Sequence, residues 1–293
     1  MSVKDNSCGI AELQDKMLDI LKYFQGICEK NNLKYWAGTG TCLGAVRHHG
    51  FIPWDDDMDI YMPRPDYERL WKIWKSVSDN PQYKLCRTSR NKNYRHRAMQ
   101  IVDLHTTFIN ERCVNDDIEH GVYIDIIPMD ACPKNPFARI SQIVNAVFYS
   151  VYNIQITPDF QGGKAMRMGT RFLLNLVKKP DKRYRIWKRA EQRLSRFNMD
   201  KADTYTDLYI YFWMIFKPMP AKWFRTKTVP FEDTTINIPV GYDGYMKILY
   251  GDYMQLPPEQ DRTVKHHTVK IDLEHPYTEY RGIYYLKQEA ENA

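Results

Sequence analysis

The sequence predicts an α+β fold, in which a mixed sheet core is flanked by helices and interrupted by a mostly helical, basic insertion. Three observations predict it. Apolar residues recur at three- and four-residue spacing in some segments and in short unbroken runs in others, the marks of amphipathic helices and of buried strands. These two kinds of segment follow one another from Ile10 to Pro128. Between Gln161 and Asp200, 12 Lys and Arg stand against 3 Asp and Glu, so this stretch carries about +9 and the rest of the chain is net −3.

The chain has 293 residues, 43% of them hydrophobic and 14% aromatic, which is enough to bury a core and argues against disorder. Its net charge of +6 suits anionic partners, whether phosphates, anionic lipid or nucleic acid, without choosing among them. Cys8, Cys28, Cys42, Cys86, Cys113 and Cys132 are widely spread, without a C-x-x-C pair or zinc-ligand spacing. Met1 to Ile10 lacks the apolar core of a secretory leader. Reduced thiols and a cytoplasmic location, at the inner face of the membrane, are the expectation. No run reaches the roughly 18 to 20 apolar residues needed to span a bilayer.

The elements are expected as follows. Leu13, Met17, Ile20, Leu21, Phe24, Ile27 and Cys28 form the apolar stripe of a helix over Ile10–Asn31. Leu33–Ala37 reads as a short strand, Gly38–Thr41 as a turn, and Cys42–His48 as a helix. A strand, a small-residue turn and a helix N-terminus make an anion site, with Thr39 and Thr41 adding hydroxyls. The turn is neither a P-loop nor a dinucleotide fingerprint, since Leu43 stands at the third Gly position. Met58–Met62 is the second strand, and Asp66 caps a helix that runs to Val77. Strands follow at Tyr83–Thr88, Ala98–Leu104 and Gly121–Pro128. Helical stripes are expected from Pro136 to about Phe216. Tyr245, Ile248 and Leu249 mark a last helix that stops at Gly251. In domain terms, residues 1–135 form the catalytic core, 136–230 the helical basic region, and 231–293 a segment that packs back on the core.

The chemistry concentrates in Gly50-Phe51-Ile52-Pro53-Trp54-Asp55-Asp56-Asp57-Met58-Asp59-Ile60. On a strand, Asp55, Asp57 and Asp59 share one face. Carboxylates spaced in this way suit a hard divalent cation, Mg²⁺ or Mn²⁺. A calcium loop of the EF-hand type is set aside, because Ile60 stands where its Gly is needed and Asp66 where its Glu belongs. Asp125, a lone carboxylate within an apolar strand, is the expected third member of the group, with Asp103 competing. The alternative for Asp125 is a structural pairing. The basic middle is read either as a solvated helix face or as a surface for an anionic membrane or lipid-linked substrate, with Lys178, Lys179, Arg183 and Arg185 among its cations.

A strand, a Gly/Thr turn, a helix, a paired-Asp strand and a single-Asp strand, in that order, make the arrangement of the nucleotidyltransferase fold. Gly40 to His48, Gly50 to Ile60 and Arg64-x-Asp66-Tyr67 closely resemble the LicD family of phosphotransferases. Gly121 to Asp130 and Tyr250-Gly251-Asp252-Tyr253-Met254 with Pro257-Pro258 resemble its later motifs. Cys42 departs from the more usual Leu, and the cysteine zinc site of the fukutin-related members has no counterpart. The resemblance implies transfer of a phosphorylated head group, phosphocholine first, from a CDP-linked donor such as CDP-choline to a cell-surface glycan or its lipid-linked precursor, with release of CMP. It implies Asp57 and Asp59 as metal ligands, with Asp55 a further one, and Asp125 as ligand or base. Gly40 and Thr41 would cradle the donor phosphates, with Arg47, His48, Trp54, Arg262 and His266 as further substrate contacts. Two other readings stand beside it: a nucleotidyltransferase releasing pyrophosphate, and a non-catalytic nucleic-acid-binding protein, which leaves the Asp cluster unexplained. No nucleic acid partner is expected.

Overall fold

The structure is a computed structural model, and it describes residues 10–157, 163–209, 212–264 and 267–287. In chain order, the elements from the N-terminus are α1 (Ala11–Lys30), β1 (Trp36–Ala37), α2 (Thr39–Arg47), β2 (Asp59–Pro63), α3 (Arg64–Val77), β3 (Tyr83–Cys86), β4 (Met99–Asp103), β5 (Thr107–Asn110) and β6 (Tyr123–Ala131). Then come α4 (Pro136–Ile154), α5 (Gly163–Leu176), α6 (Pro180–Leu194), β7 (Thr204–Thr206), β8 (Met219–Pro220), β9 (Thr226–Phe231), β10 (Thr234–Pro239), α7 (Tyr242–Tyr250) and β11 (Thr268–Asp272). The mixed α and β content is the one expected.

The chain divides into two compact units. The first comprises the residues up to Cys86, Gln100–Ile127 and those from Trp223 onward. Its sheet runs in the order β1-β2-β6-β4-β3, with β1 antiparallel to β2 and β3 antiparallel to β4. Ile60, Met62, Ile101, Ile124 and Ile126 are fully buried in it. Leu13, Met17, Ile20, Leu21, Phe24, Ile27 and Cys28 of α1 are buried together, as their helical spacing requires. Two antiparallel pairs complete the unit: β9 with β10, and β5 with β11. The second unit comprises Arg87–Met99 and Pro128–Lys222. It holds α4, α5 and α6, and β7 pairs with both β8 and Asp130–Ala131 of β6.

Local details differ from the expectation at two places. The helix expected from Cys42 begins at Thr39, so Gly40 and Thr41 lie inside its first turn rather than in a loop before it. Asp66 does not cap α3. The helix starts at Arg64, Pro63 is its N-cap residue, and the Asp66 carboxylate instead accepts the Lys34 backbone N–H at 3.2 Å. A proline pair flanking Arg64 starts this helix because its fixed φ suits the first turn. Gly251 ends α7 as expected, with φ +65°. No disulfide joins the described cysteines.

Candidate active site

The acidic stretch leaves a turn at Pro53–Trp54, closed by the Asp55 N–H donating to the Ile52 carbonyl at 2.9 Å, passes through Asp56–Met58 and enters β2 at Asp59. Asp56, Met58 and Ile60 are buried while Asp55, Asp57 and Asp59 are half-buried. The period of two therefore holds along a segment of which only the last residues are ladder-paired strand. Two supports pin the turn. Gln14 of α1, itself buried, donates from Nε2 to the backbone carbonyls of Ile52 (3.0 Å) and Asp55 (2.9 Å). Glu232, in the β9–β10 turn, accepts the Phe51 N–H on Oε1 at 2.9 Å and donates its own N–H to the His49 carbonyl at 2.9 Å. The Glu232 side chain lies where a Cβ on residue 50 would project, so a side chain there would displace Glu232 from the Phe51 N–H.

The carboxyl groups of Asp55 and Asp57 are neighbours. Burial holds the Asp55 pKa well above the ordinary carboxylate range, and the neighbouring charges of Asp57, Asp59 and Asp56 push it further up. Asp55 also explains Gly40. A Cβ at that position would lie 2.5 Å from Asp55 Oδ2, so the space Gly40 leaves is filled by the protein's own carboxyl group.

Asp59 is tied to α2 by two threonines. Thr39 Oγ1 donates to Asp59 Oδ2, and Thr41 Oγ1 accepts the Asp59 N–H at 2.9 Å. Thr39 has φ +31°, a conformation that costs a β-branched residue of order 1–3 kcal/mol and tends to be held at functional turns. The Tyr245 hydroxyl of α7 accepts the Thr39 N–H at 2.7 Å and holds the backbone there.

Asp125 lies on β6, beside β2, and its N–H donates to the Met58 carbonyl at 2.8 Å. Gln100 Nε2 donates to its Oδ1 at 3.0 Å. Burial raises the Tyr123 phenol well above its usual value, and Asp125 and Asp57 raise it further, so both carboxylates act on one ring. Asp103 is differently placed. It is buried and accepts from Gln82 Nε2 and the His105 N–H, both at 2.9 Å, as a turn-closing residue does.

The cations expected to meet substrate form a second cluster. Arg47, in the last turn of α2, donates from Nη1 to the Tyr253 carbonyl at 2.8 Å and from Nε to His48 Nε2 at 2.9 Å. Burial lowers its pKa, and nearby Arg262 lowers it too. Arg262 lies over the Trp54 ring, 5.7 Å from its centroid, and donates from Nε to the Pro257 carbonyl at 2.9 Å. His48 meets the same indole edge-on at 6.2 Å. Burial brings the His48 pKa down to about 4, with Arg47 and His49 adding to the shift, so it is neutral at pH 7. Arg47, His48, Trp54 and Arg262 are thus brought together, and His266 lies outside the described residues. Gln14, Glu232 and Tyr245 were not legible as site residues. The one signal was a polar side chain, Gln14, inside an apolar helical stripe.

These residues fit a divalent cation in kind. They offer hard oxygen donors, and burial together with the neighbouring carboxylates disfavours the Asp55 charge, a penalty that a cation would relieve. Among the described residues no group of three or more His, Cys, Asp or Glu side chains is placed to hold a metal ion by itself. Magnesium is commonly bound by one or two carboxylates with substrate phosphates completing its shell, rather than by an all-protein cage.

Residues 32–131 match the model of the LicD/FKTN/FKRP nucleotidyltransferase domain. Those residues hold α2, the Asp55–Asp59 run and Asp125. The chain is 26% identical over 268 residues to the lipopolysaccharide cholinephosphotransferase LicD of Haemophilus influenzae, across 88% of this chain and 96% of that protein. It is 40% identical over 147 residues to an uncharacterised protein of Rickettsia typhi, across 49% of this chain and 42% of that one. It is also 44% identical to the human ribitol 5-phosphate transferase FKRP over 39 residues, 13% of this chain and 8% of the human protein. Tyr245 and Arg262 lie outside the matched residues in sequence, yet both contact or neighbour them within the same compact unit.

Proposed function

We propose that this protein is a phosphotransferase that moves a phosphorylated head group from a CDP-linked donor to a hydroxyl of a cell-surface glycan or its lipid-linked precursor, releasing CMP. Phosphocholine is the head group favoured, because the relative aligned over nearly its whole length is a lipopolysaccharide cholinephosphotransferase. The observation that carries the reading is the adjacent carboxyl pair Asp55–Asp57 with Asp59 near it, preceded directly by Trp54, over whose ring Arg262 lies and whose edge meets His48, the acceptor of Arg47. Acidic groups that need a cation and basic groups that need an anion are what a metal-bound diphosphate requires.

Asp57 and Asp59 would hold Mg²⁺ or Mn²⁺, with Asp55 joining them on losing its proton. The cation would neutralise the diphosphate oxygens and the leaving nucleotide. Arg47 and Arg262 attract the donor's phosphates. The Thr39 and Thr41 hydroxyls fix Asp59 in register with the α2 N-terminus. Asp125 serves as a further ligand or takes the proton of the acceptor hydroxyl. Metal affinity retained in Asp125→Asn, with turnover lost, selects the base.

The test is incubation with CDP-choline, CDP-ribitol and CDP-glycerol plus Mg²⁺ or Mn²⁺ and a glycan acceptor, scored for CMP. Release of CMP that EDTA abolishes and that Asp57→Asn and Asp59→Asn lack is expected. Turnover in either variant at the wild-type rate, insensitive to EDTA, overturns the site. Pyrophosphate released from a nucleoside triphosphate instead would identify a nucleotidyltransferase.

A further inference from the structure

Helix α5 has two apolar faces, and the second unit covers one of them. Thr170 is buried, with Met166, Leu173 and Leu174 partly covered around it. The Tyr152 hydroxyl of α4 donates to the Leu173 carbonyl at 2.9 Å on this side. At 3.6 residues per turn, Met168, Phe172 and Leu176 fall within about 80° of one another on the far side. They are 71%, 66% and 68% exposed. A helix that owed its apolar residues only to the core would not carry three large ones into water in register.

The charges beside this stripe identify its occupant. Lys164, Arg167 and Arg171 run along one flank of it, and Lys178 and Lys179 follow the helix. No acidic residue occurs between Gly163 and Pro180. An apolar ridge edged by cations alone complements a surface that is apolar beneath an anionic layer. Among the described residues no helix is long and apolar enough to cross a membrane, so any contact of α5 with a bilayer would lie in the interface plane. Arg183 is not one of the surface cations. Its guanidinium donates to the carbonyls of Val177 (2.7 Å) and Leu174 (3.0 Å) and to Gln155 Oε1 (2.8 Å), closing the C-terminal end of α5.

We propose that α5 is a membrane-docking helix, which inserts Met168, Phe172 and Leu176 at the headgroup–acyl boundary of an anionic bilayer while Lys164 and Arg171 engage the headgroups. This holds whatever reaction the acidic site performs.

Sedimentation of the full chain with vesicles of phosphatidylcholine, with and without 30% phosphatidylglycerol, tests it. Binding to the anionic vesicles that weakens between 50 mM and 500 mM salt is expected. Each surface cation contributes about fivefold to partitioning, so the double variant Lys164→Glu/Arg171→Glu should lose about thirtyfold or more. Phe172→Asp/Leu176→Asp should lose at least tenfold, with its far-UV circular dichroism unchanged because both side chains are solvent-exposed. Absence of binding to anionic vesicles at low salt, equal binding to neutral ones, or wild-type binding by either folded variant overturns the proposal. So does a fall in oligomeric mass of Phe172→Asp/Leu176→Asp with lipid binding intact, which would assign the face to a second copy of the chain.

Discussion

The carboxyl group of Asp55 lies beside that of Asp57, an arrangement that favours keeping a proton on the pair. Asp55 is the member held back, by burial first and by its neighbours' charges second. A cation placed between the two would replace that proton, and binding that favours the folded state raises its melting temperature by mass action. Wild-type protein should therefore gain several degrees in Tm on addition of 5 mM Mn²⁺, with protons released to the medium. Asp57→Asn should gain little. Differential scanning fluorimetry, with proton release followed by a pH indicator, checks both; an equal Tm gain in the variant would detach Asp57 from the metal.

Gln14 of α1 supplies two hydrogen bonds to the acidic turn. Gln14→Leu matches the volume but leaves the Ile52 and Asp55 carbonyls without their donor, at a cost of about 1–3 kcal/mol. The turn that aims Asp55 and Asp57 should loosen as well. A fall in kcat larger than the change in donor KM, together with a lowered urea midpoint, is the expected outcome. A shift in stability with kcat untouched would reduce Gln14 to a packing residue.

His48 binds a proton near 6.5 when exposed, but only near pH 4 in the folded protein, where burial, Arg47 and His49 oppose its charge. The unfolded chain therefore takes up the proton first as pH falls. Stability is unaffected above about pH 6.5 and declines between there and pH 4. Because His48 is half-exposed, the loss at pH 5 should be about 1 kcal/mol rather than the full linkage value. Urea unfolding at pH 7 and pH 5 measures it. His48→Gln should lose about 1 kcal/mol less than wild type over that interval.

Much of this site was legible in the sequence, because local spacing decides it. A period of two separates Asp55, Asp57 and Asp59 from Asp56 and Met58 whether or not the segment is paired strand, and an apolar frame marks Asp125 as exceptional. What escaped depends on partners distant along the chain. β5 is stabilised by β11, which enters more than 150 residues later, so nothing near Thr107 signals it. Gly40 reads as room for a phosphate until Asp55 is seen filling that room. The start of α2 at Thr39 depends on the Tyr245 hydroxyl, some 200 residues away, holding a backbone conformation that threonine would not choose alone.

The second unit carries a buried ion pair with the same dependence on distant sequence. Arg87 Nη2 and Glu191 Oε1 are 2.7 Å apart with both side chains buried, and Lys188 Nζ reaches Glu191 Oε2 at 2.7 Å. Removing one partner strands the other, which typically costs 3–5 kcal/mol. In Arg87→Met the Glu191 carboxylate keeps Lys188, so a loss of about 3 kcal/mol is expected. Glu191→Met leaves a buried guanidinium and should cost at least as much. The double variant Arg87→Met/Glu191→Met replaces the pair by apolar volume and should recover most of the loss, since desolvation of two charges offsets much of their attraction. Urea denaturation of the three variants measures the coupling as a double-mutant cycle. Strict additivity of the two single losses would show that the charges are not stabilising each other across that contact.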